Sequence, residues 1–205
     1  MEQPFFPNLP FAIGYVLLLL GGLGYAAWTD WKTLFVPKWL SLSLLGAGVL
    51  ANVVRGAWLG AIGQPAWLLS AHPALGGLDG FLFAIAGFLC GFLMFFLFWI
   101  FGICGGGDVK LVAAVGTWLG PRFILGGIVL STPFLIVLVI GAMAYRITTG
   151  RMSQLAAQPA DARGVGRRRR VTSYSLPFAL GVCVVLGLLL WGYQQHLHAA
   201  AVAQV

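Results

Sequence analysis

Several segments of this chain run for about twenty residues with scarcely a charge, and that spacing decides what it can fold into. A helix needs ~20 apolar residues to cross the ~30 Å hydrocarbon core of a bilayer, where backbone groups must be satisfied within the protein because no water is present. Six stretches meet or approach the requirement: about residues 9–28, 38–54, 80–103, 108–120, 122–145 and 175–193. Only 8% of the 205 residues are charged, against about 25% in soluble domains, so no arrangement in water would cover the apolar remainder. No stretch alternates apolar and polar residues over strand lengths, which argues against a transmembrane barrel. The expectation is an all-α, polytopic integral membrane protein of about six transmembrane helices, folded as a single domain over residues 1–205.

The fourth stretch is short. Its thirteen residues make about 20 Å of helix, less than a full crossing. Either it reaches the outer side at Pro121 with Asp108 in a water-accessible recess, or segments four and five share a break inside the membrane.

Orientation follows from Lys and Arg, which accumulate in cytoplasmic connections. Lys32, Lys38, Lys110, Arg146, Arg151, Arg163 and Arg167 to Arg170 fall on one side, whereas Arg55 and Arg122 fall on the other. Connections near residues 30, 108 and 160 are therefore expected in the cytoplasm, with both termini outside. No basic residue precedes the first segment, so it reads as a retained helix rather than a cleavable signal. The net charge of +7 and the run "RRRR" at 167–170 read as a juxtamembrane cluster for anionic lipid headgroups, not for nucleic acid. Residues 146–175 form the expected cytoplasmic loop. Residues 55–79 form the expected outer loop, where Trp58 and Trp67 suit the interface. Two stripes of small residues, "GFLCG" at 87–91 and "GTWLG" at 116–120, permit close helix approach. Cys90, Cys104 and Cys183 form no CxxC pair and read as packing residues.

Five acidic residues remain to be placed. Glu2 and Asp161 read as solvated, and Asp79 as an N-cap of the third helix on the outer side. Asp30 and Asp108 share the cytoplasmic side, close to the hydrocarbon boundary. An ionisable group at membrane depth costs about 2.5 to 3.5 kcal/mol on insertion scales, which makes each a functional candidate. Each also has a plain alternative: Asp108 as a cap favoured by the helix dipole, and Asp30 as a solvated boundary residue. Brought together, two carboxylates would share a proton, one activating water while the other hydrogen-bonds a scissile carbonyl. Gly105, Gly106 and Gly107 would give room and backbone freedom beside Asp108 for an extended peptide. The sequence carries no HExxH, GxSxG, GKS or GKT motif, and no metal or cofactor is expected.

"GGGDVKLVAAVGTWLG" at 105–120 resembles the second motif of the type IV prepilin peptidases, membrane aspartic proteases of the GxGD kind. Asp30 followed by "VPKWL" at 36–40 resembles their first motif, and "SYSLPFALG" at 173–181 the Pro-containing start of their last helix. The resemblance implies an inner-membrane endopeptidase with Asp30 and Asp108 as catalytic pair. It also implies a prepilin or prepilin-like (pseudopilin) substrate, whose short basic leader is cut at the cytoplasmic face. Gly105 and Gly107 correspond to the motif glycines. Lys110 either steers an acidic group of the substrate or marks the inner face. Larger members carry a domain with two CxxC pairs linked to N-methylation. The absence of such pairs resembles the short, peptidase-only branch serving tight-adherence (Flp) pili, so methyl transfer is not expected. A presenilin-like protease fits less well, because the only "PAL", at 73–75, precedes Asp108. A transporter or channel subunit using Asp30 and Asp108 as proton or cation sites is the alternative of a different class.

Overall fold

The computed structural model describes residues 5–33, 37–69, 72–101, 104–148 and 174–202. Five helices occur among them: α1 (Leu9–Thr33), α2 (Lys38–Ala61), α3 (Pro73–Ile100), α4 (Gly106–Thr148) and α5 (Ser175–Val202). There is no strand among the described residues, and all five helices are long and apolar enough to cross a membrane.

Local chemistry marks where these helices begin. Asn8 caps α1, its Oδ1 accepting from the Phe11 amide at 2.9 Å. Pro37 precedes α2 with φ −59 and ψ 137, extended torsions that suit a residue just outside a helix. His72 caps α3, with Pro73 behind it and Nδ1 accepting from the Ala74 amide at 3.3 Å. Asp79 is therefore not the cap expected from the sequence. It lies nearly two turns inside α3 and is fully buried, with its carboxylate accepting from the Trp67 and Leu68 amides of the preceding connection. Starting α3 at Pro73 and extending α2 to Ala61 shortens the expected outer loop from both sides. Arg55 consequently lies inside α2 rather than in that loop. Trp58 and Trp67 are exposed, as an interfacial position requires. Most of the 146–175 stretch, including Arg151, Arg163, Asp161 and Arg167 to Arg170, lies outside the described residues, as does Glu2.

Where six segments were expected, the fourth and fifth belong to one element, α4. It is interrupted at Gly120, whose φ of 72 and ψ of 177 are not helical. A Cβ placed on Gly91 would lie 3.3 Å from Val112 Cγ1 and 3.4 Å from Ile124 Cγ1. On a straight helix those two residues would stand about 18 Å apart, so the chain doubles back at Gly120 and α4 has two legs. Only glycine adopts this positive φ without strain. A Cβ there would also strike the Phe83 ring, at 2.0 Å. Segments four and five thus share a break within the bundle.

Glycine contacts set how closely the helices approach. A Cβ on Gly87 would fall 2.0 Å from the Gly116 carbonyl oxygen, and one on Gly116 would fall 2.3 Å from that of Gly87. The two small-residue stripes read from the sequence therefore face each other, with α3 and the first leg of α4 touching backbone to backbone. A second crossing of the same kind joins Gly56 of α2 to Gly76 and Gly80 of α3; its glycines have the same spacing, in "GAWLG" at 56–60 and "GGLDG" at 76–80, which was not singled out from the sequence. At a third, Gly181 of α5 abuts Gly127 and Ser131 on the second leg of α4. The apolar core lies between these crossings, with Trp118, Phe95, Phe178, Leu19 and Leu111 fully enclosed.

These contacts predict a position-specific effect of adding one methyl group. Gly87→Ala should lower thermal stability in detergent by about 1 to 3 kcal/mol through overpacking. Gly21→Ala, where nothing among the described residues lies within 4 Å of the new Cβ, should leave it unchanged. Equal melting temperatures for the two variants would mean that this glycine crossing does not hold α3 to α4.

Candidate functional site

Two carboxylates arrive at one end of the bundle. A Cβ on Gly22 would meet Leu44 at 2.6 Å, while Tyr15 is hydrogen-bonded by Asn52, so α1 and α2 run antiparallel and α1 ends where α2 begins. Lys38, at the start of α2, lines one groove with Lys110, at the start of α4. Asp30 in the last turn of α1 and Asp108 in the first turn of α4 therefore lie at the same end. Each is enclosed, at 4% and 3% exposure respectively.

The local fold explains how Asp108 is held. Gly105 stands just before α4, and its carbonyl accepts from the Asp108 and Val109 amides at 3.0 and 3.2 Å. Its own N–H donates to Asp108 Oδ2 at 3.0 Å. A side chain in the first turn thus reaches back to the amide before the helix, the reciprocal half of a capping box. Asp108 is not the N-cap residue itself. A hydrogen bond from an amide and the positive end of the α4 dipole both favour negative charge at this point.

Unusual torsions are not what distinguishes the glycines before Asp108. Among the described residues the positive-φ glycines are Gly63 and Gly120, so Gly105, Gly106 and Gly107 need no left-handed backbone, contrary to one half of the sequence expectation. Among the described residues, an added Cβ on Gly106 would meet Trp99 Nε1 at 3.8 Å, an ordinary van der Waals contact. Gly105 is buried, and Gly107 is half-buried in the first turn of α4. Lys110 is exposed three residues on, at one wall of a groove of about 300 Å³. Lys38, Ser41, Leu45, Phe88 and Phe92 line much of the rest.

Charge-only reasoning missed Tyr174, immediately before α5. Its ring packs on Phe95 with centroids 4.9 Å apart, and its hydroxyl shares a hydrogen bond with Ser131. Burial pushes the phenol above its ordinary pKa; the Ser131 bond opposes that shift, and the nearby charge of Asp108 adds to it. Tyr174 therefore belongs to the Asp108 surroundings. The signal was present, since it is the tyrosine of "SYSLPFALG", but nothing in the spacing told which end of the bundle would receive it.

A second polar cluster lies toward the other end, around Arg55. This guanidinium is 1% exposed and sits between the Phe5 and Phe83 rings, 4.2 and 4.5 Å from their centroids. Its Nε donates to Asn52 Oδ1 at 2.9 Å and its Nη1 to the Phe5 carbonyl at 3.3 Å. The charge counted as a loop marker is thus a buried structural centre.

Comparison with known proteins adds an independent line. The sequence model of the "Type IV leader peptidase family" matches residues 17–144, which contain both Asp30 and Asp108. A curated relative from Klebsiella pneumoniae, described as "Prepilin leader peptidase/N-methyltransferase", is 28% identical over 133 residues. That alignment covers 62% of this chain and 49% of the relative, so the chain spans about half the length of the protein it matches. No solved structure gives a significant match.

Burial along the first leg of α4 predicts its reactivity. In a background with Cys90, Cys104 and Cys183 replaced by Ser, Lys110→Cys should react readily with a charged maleimide. Val112→Cys, whose native side chain is fully buried, should resist it. Comparable labelling at both positions would contradict this orientation of the leg.

Proposed function

The chain belongs to the type IV leader peptidase family, and from that premise we propose that it is an aspartic endopeptidase of the bacterial inner membrane. It removes the short basic leader from a prepilin or prepilin-like protein, using Asp30 and Asp108. The observation that carries this reading is the burial of two carboxylates at one end of an apolar bundle, each in the terminal turn of its helix. Burying such groups in a membrane protein is costly and calls for a use.

The helix ends divide the labour between them. Asp108 stands at the positive end of the α4 dipole and accepts the Gly105 amide, so it is the member suited to carry the charge. Asp30 stands in the last turn of α1, at the opposite kind of helix end, and in the proposed reaction it is the proton donor. In the proposed reaction Asp108 takes a proton from water as the water oxygen bonds to the scissile carbonyl carbon. Asp30 gives its proton to the carbonyl oxygen. Collapse of the tetrahedral intermediate breaks the C–N bond: the nitrogen takes the proton held by Asp108, and one hydroxyl of the intermediate returns its proton to Asp30 as the new carboxyl group forms, restoring the pair.

The excess of Lys and Arg supports a cytoplasmic position for this end of the bundle, with both termini outside. The glycine run leaves side-chain volume free for a peptide drawn past Asp108 in extended form. The three cysteines form no CxxC pair, and the proposal is confined to hydrolysis.

Asp30→Asn and Asp108→Asn should each reduce cleavage of a co-expressed prepilin by at least about a hundredfold, the scale of a lost acid or base. Membrane insertion should be retained, as read by carbonate-resistant fractionation. Full processing of the leader by either variant would exclude the paired-carboxylate mechanism.

A further inference from the structure

The reversal at Gly120 interrupts a backbone ladder inside an apolar bundle. Pro121 has no N–H to return to the Thr117 carbonyl, and the torsions at Gly120 break the regular pattern at Trp118. Both residues are fully buried, so their carbonyls need partners from elsewhere in the protein.

Two other helices supply them. Asn52 of α2 donates from Nδ2 to the Thr117 carbonyl at 2.7 Å and lies 3.2 Å from that of Trp118. The Tyr15 hydroxyl of α1 donates to the Trp118 carbonyl, and its oxygen accepts from Asn52 at 3.2 Å. The bond from Arg55 Nε to Asn52 Oδ1 fixes which way the amide points. The grip is reciprocal, because Trp118 Nε1 donates to the Leu44 carbonyl of α2 at 2.8 Å. Gly48 admits this contact: a Cβ there would lie 2.1 Å from Thr117 Oγ1.

We propose that Asn52 and Tyr15 are positioning residues for Asp108, closing the broken backbone so that the leg carrying Asp108 has one height and one rotation against the helix carrying Asp30. Successive carbonyls on a helix differ by about 100° and 1.5 Å, so holding two consecutive ones defines both coordinates. Ten residues lead from Trp118 to Asp108 and fifteen from Tyr15 to Asp30, about 15 and 22 Å of helix. An error at the reversal is carried rigidly to the site. The functional consequence rests on the peptidase reading; the structural claim does not.

The test uses the full chain in phospholipid nanodiscs, comparing Asn52→Leu, Tyr15→Phe and the control Ser43→Ala, which removes an exposed side-chain bond on α2. Leader cleavage by Asn52→Leu should lose about tenfold to a hundredfold in kcat with KM within about twofold, the signature of misplaced groups. Tyr15→Phe should lose less, and Ser43→Ala nothing. Hydrogen–deuterium exchange should rise across residues 105–124 while α5 keeps its wild-type pattern. Unchanged kcat in Asn52→Leu, or exchange rising evenly through all helices, would overturn the proposal. If Asn52→Leu fails to accumulate, Tyr15→Phe is judged by the same two readouts. A wild-type chain that cleaves no leader would defeat the peptidase reading, and the exchange pattern would then decide the structural claim alone.

Discussion

Within a hydrocarbon layer every backbone carbonyl needs a partner made of protein, and this requirement governs most of what is unusual in the bundle. Continuous helices meet it by themselves. The reversal at Gly120 does not, and it places the Thr117 and Trp118 carbonyls among apolar side chains. Asn52 and Tyr15 answer that demand, and Arg55 orients Asn52 in turn. Three polar residues buried in a bundle of leucines and phenylalanines thus have one physical cause.

The same break gives the first leg of α4 its length and direction. A leg of fifteen residues ending at a glycine places Asp108 at the end of the bundle that also receives Asp30. Close glycine contacts with α3 then hold that leg in place, because backbone-to-backbone packing tolerates neither rotation nor an added methyl group. Catalytic geometry in the proposed mechanism therefore depends on packing near the opposite end of the leg. Electrostatics completes the arrangement: one carboxylate sits at a helix start and the other at a helix finish, so the two are unlike before any substrate is present.

Much of the candidate site was legible because charge is so scarce. With five acidic residues in 205, Asp30 and Asp108 stood out against their apolar surroundings. Asp79 was misread as a cap because a helix start was placed at the first apolar run, whereas His72 and Pro73 begin α3 earlier. Arg55 was misread as a loop charge for a related reason. Its helix runs on to Ala61 because Arg55 faces the protein and not the lipid. The glycine stripes at 87–91 and 116–120 were visible as patterns, but chance pairs are common among 29 glycines. Only the fold shows that these two meet.

The sequence by itself determined the solvent, the all-helical class, the family and the two carboxylates, since each depends on composition or on residues close together along the chain. Tertiary structure alone decided that segments four and five join at Gly120 without a loop. It also decided that Asn52 and Tyr15 bond to carbonyls 65 and 103 positions away, and that Tyr174 lies near Asp108. These are contacts between helices whose facing sides no local pattern specifies, and they are set when glycines and large side chains find the packing that brings partners to the Thr117 and Trp118 carbonyls.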